Sequence, residues 1–359
     1  MNKHPLEDKR ILITGGTGSL GKVLVRRLLS GGLGTPKQII IFSRDEAKQY
    51  LMRLSYLQRD EVTDEVIYRN SRELLSFRIG DVRDEASVSA ALHGVDVVFN
   101  AAALKQVPSC EYFPEEAIKT NISGPSNIVR AAITPGSSVE TVVGISTDKA
   151  AKPVNVMGMT KALQERILIR ANMDSTRTRF VCVRYGNVLA SRGSVIPLFH
   201  EQIRNGGPVT ITTPDMTRFL LSLNQAVDMV FEAVVNAHRG EIYIPKVPAA
   251  RITDVASVLI DHRPIEMHIT GIRPGEKVHE ILITEEEVHR TVDRGDYYAI
   301  QPVLPELVSD RAAAAPLPGE YSSAGSVMTR EEVYTLLYSN RLLIDQGKDS
   351  IPVEDELLR

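Results

Sequence analysis

Short apolar runs alternate with amphipathic stretches through the first half of the chain. Arg10-Ile11-Leu12-Ile13-Thr14 predicts a buried strand, and a helix follows through Lys22 to Leu29, stopped by Gly31-Gly32-Leu33-Gly34. Ile39–Phe42 predicts a second strand, Ser76–Ile79 a third, Val95–Phe99 a fourth and Thr141–Ile145 a fifth. Helical stretches fall between them, one running from Glu115 to Ala132. Strands apolar on both faces, alternating with helices, predict a parallel sheet covered on both sides. Right-handed crossovers make it an α/β, doubly wound Rossmann sheet.

Past Tyr185 the pattern loosens. Gly193, Pro197, Gly206-Gly207-Pro208 and Pro214 punctuate it, with a helix near Gln225–Asn236 and short strands at Glu241–Ile244 and Glu266–Ile269. The expected organisation is a Rossmann domain over residues 8–185 and a smaller C-terminal substrate-binding lobe over 186–304, partly rejoining the sheet. A C-terminal extension covers 305–359, with a loop at Ala312–Gly319 and a last helix from Thr329 to Leu343.

Composition narrows the function classes. A net charge of −3 argues against nucleic acid or a polybasic membrane anchor. The polar N-terminus and the lack of a long apolar run predict no signal peptide and no membrane insertion, with the cytoplasm as the expected compartment. Cys110 and Cys182 form no framework, Cys182 reading as a core thiol in Phe180-Val181-Cys182-Val183, and the eight histidines have no zinc spacing, so no metal is expected.

Strand one runs into Thr14-Gly15-Gly16-Thr17-Gly18-Ser19-Leu20-Gly21, and a helix opens at once. Gly15, Gly18 and Gly21 suit the tight turn, the approach to a pyrophosphate and the packing of helix on strand, and the helix N-terminus offers free N–H groups to phosphates. Thr17, Ser19 and Leu20 belong to the same loop. After strand two, Ser43, Arg44 and Lys48 offer a hydroxyl and two cations where NAD enzymes carry a carboxylate, which favours NADP; Asp45 is read as a helix cap. Asp81-Val82 after strand three and Ala101-Ala102-Ala103 after strand four complete the cofactor set.

After strand five comes Ser146-Thr147-Asp148-Lys149-Ala150, and then Met157-Gly158-Met159-Thr160-Lys161. Reductases of this fold use Ser or Thr with Tyr-x-x-x-Lys, whose spacing puts tyrosine and lysine on one helix face. Thr147 and Lys161 are present, but Met157 stands at the tyrosine position and carries no proton. The adjacent acid and amine of Asp148-Lys149 supply acid–base chemistry instead. The bland alternative is an exposed ion pair at a strand end.

Residues 14–21, Phe42-Ser43-Arg44-Asp45-Glu46, Ala102–Pro108, Ser146–Ala150 and Val156–Lys161 together resemble the UDP-N-acetylglucosamine 4,6-dehydratases, extended short-chain dehydrogenase/reductases of bacterial surface-glycan synthesis. The resemblance continues through Arg184–Val188, Ser191–Pro197, Met216–Phe219 and Arg273–Lys277, and spans about residues 8 to 300. It implies tightly bound NADP regenerated at each turnover, a UDP-sugar partner and a homo-oligomer. Met157 marks a subgroup that includes capsule enzymes. By the same resemblance Lys149 is the base at C5, Asp148 the acid at the C6 hydroxyl, and Thr147 a donor to the C4 oxygen. Lys161 holds the ribose, and Lys105, Tyr185 and Asn187 lie by the cofactor. Asn187, Arg218, Arg273 and Glu276 hold UDP, and Lys105, Val195, Pro197 and Met216 line the sugar and base pockets. The expected reaction is 4,6-dehydration, with C5 inversion over retention. The alternatives are a 4-epimerase, another nucleotide sugar, and an inactive NADP-binding regulator.

Overall fold

The computed structural model describes residues 4–57, 73–189, 194–308 and 317–344. The expected Ser191-Arg192-Gly193 segment and the Ala312–Pro316 part of the expected loop lie outside them.

Six strands form the parallel sheet: β1 (Arg10–Thr14), β2 (Gln38–Ser43), β3 (Leu75–Ile79), β4 (Val97–Asn100), β5 (Thr141–Ile145) and β6 (Arg179–Val183). Their order is 3-2-1-4-5-6, the doubly wound order that the alternation predicts. Both faces are buried because successive side chains point to opposite sides. Ile11, Ile13, Ile39, Ile41, Val143 and Val181 enter one core, while Leu12, Ile40, Val98, Val142 and Phe180 enter the other. Between β3 and β4 the chain crosses to the far side of β1. That reversal opens a crevice at the carboxyl ends of β1 and β4.

Ile242–Pro245 rejoins the sheet parallel to β6, and Tyr297–Ile300 and Thr291–Arg294 extend it antiparallel. Among the described residues the remaining strands make three small sheets, including Asn187–Val188 with Thr217–Leu221 and Ala249–Arg251, and Ile281–Ile283 with Tyr321–Ser322. A separate core under them joins Ile196, Phe199, Met216, Leu220, Ile252 and Val255 to Val333 and Leu337 of the helix Arg330–Ser339. The last helix is thus shorter than Thr329–Leu343, with Thr329 as its cap.

One expected helix is broken. Glu115–Ala132 divides into Pro114–Ile118, a π-type turn at Lys119–Ser123, and Gly124–Ile133. Pro125 is the cause: it has no N–H, and its ring cannot pass the carbonyl four residues back, so the turn before it widens. The widened turn presents the buried Asn121, whose amide exchanges hydrogen bonds with the Leu104 backbone at 2.8 and 2.9 Å and donates to Thr160 Oγ1 at 3.0 Å. It ties the loop after β4 to the helix that carries Lys161.

Candidate active site

The glycine loop sits at the carboxyl end of β1, against the loop that leaves β4. Gly15 has φ +66°, and a Cβ there would lie 2.9 Å from the Ala102 backbone. A Cβ on Gly21 would lie 2.5 Å from Gly16, so the helix Ser19–Leu29 reaches the strand only with glycine at this position. Gly18 begins that helix without a side-chain cap, leaving its first N–H groups to an outside acceptor. Thr14 Oγ1 donates to Asn100 Oδ1 at 2.9 Å and accepts from Ala102 N at 3.1 Å, locking β1 to the Ala101–Ala102 turn. These features fit a dinucleotide: backbone clearance, free N–H groups and small residues meet in one crevice.

At the end of β2, Gln49 Nε2 reaches Ser43 O, Ser43 Oγ and Arg78 O within 3.0 Å and fixes the strand ends. Asp45 caps the next helix through Lys48 N at 2.9 Å and pairs with Lys48 Nζ at 2.6 Å, which lowers its pKa. The expected role of Asp45 is therefore met, and Lys48 is partly engaged by it. The exposed Arg44 has a loose ion pair with Asp81 at 3.8 Å. Asp81 is held in a fork by Arg83, with contacts down to 2.6 Å, and Val82 is buried against Gly124.

At the end of β5 the backbone enters a single 3-10 turn, Asp148–Ala150, capped by Thr147. The turn aims Asp148 and Lys149 inward together: the Asp148 side chain is 1% exposed, and its Oδ1 accepts from Lys149 Nζ at 3.0 Å and from Thr147 Oγ1 at 2.8 Å. With its acid buried and its amine half-buried, this is not the exposed strand-end pair of the bland reading. Gly158 makes room for it, since a Cβ there would lie 2.3 Å from Lys149 O. Burial raises the pKa of Asp148, and the nearby Glu280 adds to this, against the pull of Lys149. Burial works against the Lys149 ammonium, but Asp148 and Glu280 outweigh it and its pKa is raised.

Lys161 is buried in the helix Val156–Ala171 and donates to Ile145 O and to Gln164 Oε1, the latter at 2.6 Å. Burial brings its pKa down to about 8. Met157 packs with Cys110, Ala117, Leu104 and Val107 as a small apolar wall. Ser146 Oγ donates to Glu165 Oε1 at 2.5 Å, which fixes the residue before Thr147.

The substrate set is brought together only in part. Arg218 is buried, and its guanidinium donates to the carbonyls of Thr217, Lys277 and Val278 at 2.7 to 3.0 Å. It clamps the Arg273–Lys277 segment to the strand Thr217–Leu221, whereas Arg273 is exposed. Of the two arginines expected on a diphosphate, only Arg273 has its head group outward. Glu276 Oε2, Asn187 Oδ1, Ser194 Oγ and Thr213 Oγ1 are buried without a hydrogen-bond partner among the described residues. Asn155 Nδ2 holds Gly275 O at 2.7 Å, so this segment sits over the start of the Lys161 helix. The Met216 side chain lies in the core of the small sheets and that of Tyr185 in the main core. Tyr185 contributes its carbonyl to Asp148 N at 3.0 Å. Val195 and Pro197 are half-buried at the start of the helix Val195–Arg204, and Lys105 and Ala103 are exposed beyond β4.

Sequence reasoning missed Glu280, Asn121, Ser194 and Thr213. Glu280 had one signal, its place three residues past the Arg273–Lys277 motif, and Ser194 had its place within Ser191–Pro197; Asn121 and Thr213 had none.

A family model described as polysaccharide biosynthesis protein matches residues 11–302. The chain belongs to this family. It is an extended short-chain dehydrogenase/reductase. Within the polysaccharide biosynthesis family it is 47% identical over 298 residues to a UDP-glucose 4-epimerase of Rickettsia conorii, covering 82% of this chain and 83% of that one. Pen from Bacillus thuringiensis shares its structure with a TM-score of 0.82 and 34% identity, over 93% of this chain and 98% of that one. DesIV, a dTDP-glucose 4,6-dehydratase of Streptomyces venezuelae solved with NAD, shares the fold with a TM-score of 0.62 at 20% identity, over 75% and 86% of the two chains. Among the described residues of this family member, no helix is long and apolar enough to cross a membrane, and no cluster suited to a metal ion occurs.

Proposed function

We propose that this chain is an NADP-dependent UDP-N-acetylglucosamine 4,6-dehydratase, inverting at C5, whose product is a UDP-2-acetamido-2,6-dideoxy-4-hexulose for surface-glycan synthesis. The observation that carries this reading is the pairing of a buried Asp148 with a half-buried Lys149 at the carboxyl end of β5. Residues 8–185 are taken as the cofactor domain, 186–304 as the nucleotide-sugar lobe and 305–359 as an extension. The protein is taken as a homo-oligomer of the cytoplasm.

The glycine loop, Ala101–Ala103 and Lys161 would hold the cofactor, with Arg44 and Lys48 at its 2′-phosphate. Bound NADP would supply reversible hydride transfer to and from the sugar. The residues do the rest. Thr147 donates to the C4 oxygen. Lys161, with a pKa near 8, accepts the C4 hydroxyl proton in place of the missing tyrosine. Moving one proton from Lys149 Nζ to Asp148 across 3.0 Å turns their ion pair into an amine and a carboxylic acid. The amine then removes the C5 proton, and the acid protonates the departing C6 hydroxyl, which leaves as water. A lysine that reprotonates C5 from the opposite face gives inversion. Asn187, Arg273 and Glu276 hold UDP, with Lys105, Val195 and Pro197 beside the sugar. Arg218 orients their segment.

The relative's name favours a second reading, a 4-epimerase. That reaction moves hydride only at C4 and leaves Asp148 and Lys149 without a task. Proton NMR of the protein with UDP-N-acetylglucosamine in deuterated water separates the two. A C6 methyl signal with deuterium at C5 supports dehydration, and the ring couplings report C5 configuration. A C4-epimeric sugar with no methyl signal would replace it with the second reading.

Two further outcomes are expected. Arg44→Ala weakens NADP by about tenfold or more and NAD by much less, since a charge-assisted contact to phosphate contributes on the order of 1.5–3 kcal/mol. Equal losses in a binding titration would remove the phosphate argument. Burial depresses the Lys161 pKa, so the free amine forms as pH passes about 8, and kcat rises across that range. Lys161→Arg, charged throughout, flattens the rise; an unchanged pH–kcat profile would take Lys161 out of the proton path.

A further inference from the structure

Lys149 has a second carboxylate. Glu280 Oε1 lies 3.2 Å from Lys149 Nζ, nearly as close as Asp148 Oδ1 at 3.0 Å, and farther from Arg218 Nε, at 3.8 Å. Glu280 is 2% exposed, and one oxygen of each acid, Asp148 Oδ2 and Glu280 Oε2, is buried with no partner. Glu280 comes from a different part of the chain, the residue before the strand Ile281–Ile283. Its backbone is fixed from both sides by Ser323, Glu280 N to Ser323 Oγ at 2.9 Å and Ser323 N to Glu280 O at 2.8 Å. Ser323 Oγ in turn meets Thr217 Oγ1 at 2.7 Å, and that hydroxyl meets His279 Nδ1 at 2.8 Å. A segment beyond residue 317 therefore holds this carboxylate against the Asp148–Lys149 turn.

We propose that Glu280 is a positioning residue whose fixed negative charge sets the proton affinity of the Asp148–Lys149 pair. It attracts the ammonium that Lys149 becomes on taking the C5 proton, and it repels the carboxylate that Asp148 becomes on giving one up. Both effects hold protons where the reaction needs them: a stronger base at C5, and an acid that keeps its proton until the C6 oxygen leaves. The charged groups around the trio assign the roles. Glu280 faces Lys149, Arg218 and Lys277, while Asp148 faces Lys149, Glu280 and the Thr147 hydroxyl. Burial opposes the charge on Glu280, but the three cations outweigh it and its pKa is lowered, whereas that of Asp148 is raised. The proton affinities of two acids that share one ammonium are thereby pushed apart, with that of Asp148 the higher.

This inference rests on the dehydratase reading for its kinetic consequence, but its electrostatic core is measurable without turnover. Carbon-13 NMR of protein labelled at aspartate Cγ follows the Asp148 carboxyl, assigned by its loss in Asp148→Asn. In the cofactor-loaded wild type, Asp148 is expected to titrate above the ordinary aspartate range. In Glu280→Gln the midpoint falls by about one unit or more, because a like charge at this range is removed, and Glu280→Asp recovers part of the difference. With UDP-N-acetylglucosamine, Glu280→Gln lowers kcat by on the order of 100-fold with KM changed little. A midpoint unmoved in a folded Glu280→Gln protein overturns the proposal. If that variant does not fold, a wild-type Asp148 titrating in the ordinary aspartate range overturns it equally, and one titrating above that range, with the shift reduced in Glu280→Asp, supports it. Absence of dehydration by the wild type would sink the reading of the function and leave the titration standing.

Discussion

Lys149→Ala is expected to lower kcat for dehydration by about 1,000-fold or more, in line with the upper range for a positioned acid–base group, while cofactor binding is retained. The geometry explains the size of the effect. Lys149 is the amine held between two buried carboxylates, at 3.0 Å from Asp148 and 3.2 Å from Glu280. Among the described residues, no other lysine forms an ion pair with Asp148 or Glu280. Cofactor binding survives because the glycine loop and the β4 turn are made by other residues. The check is single-turnover kinetics with cofactor content measured on the same preparation. Near-normal turnover would remove Lys149 as the C5 base, and cofactor loss alongside activity would make it a structural residue instead. The truncated site keeps two acids without their ammonium, so one of them holds a proton in the variant, and melting is followed in parallel.

Arg184→Met carries the largest expected effect on the fold. The Arg184 side chain is 2% exposed, and all five of its N–H groups are used: on Glu165 at 2.7 and 3.0 Å, on Glu287 at 2.7 and 3.0 Å, and on Leu282 O at 2.9 Å. It joins the helix of Lys161 to the segment around Ile281–Ile283. Removing the cation strands two buried carboxylates, and breaking one side of such a network costs about 3–5 kcal/mol. The consequence reaches the site through Glu165, which also accepts from Ser146 next to Thr147. Chemical denaturation reads the loss, and a change under about 1 kcal/mol would mean that Met fills the space as well as the ion pairs did. The pH dependence has a definite sign. Burial opposes the charge on Glu287, but Arg184 outweighs it and its pKa is lowered. Its contribution is present above the ordinary glutamate range and is lost as pH falls through the lowered value. In Arg184→Met this acid-side loss shrinks.

Much of the fold was legible because burial on both faces leaves no choice of residue. Ile11–Ile13, Ile39–Phe42 and Val142–Ile145 could only be central strands, and the glycine pattern before Ser19 named the crevice end of β1. The helix across Glu115–Ala132 was misjudged at one point. Periodicity is insensitive to a single widened turn, although Pro125 was visible. Local spacing also brought out Thr147, Asp148, Lys149 and Lys161, since one turn and one helix position all four.

By itself the sequence determined the doubly wound sheet, the glycine loop after β1 and the adjacent acid and amine, all set by contacts among near neighbours or by strand alternation. Only the tertiary structure decided what surrounds that pair. Glu280 reaches Lys149 across 131 residues of chain, Arg184 finds Glu287 across 103, and Arg218 is spent on carbonyls some 60 residues away. Residue type and spacing are silent on such distances. A buried charge takes whichever partner the packing brings close, and here the packing set Glu280 beside Lys149 and the Arg218 guanidinium against backbone carbonyls.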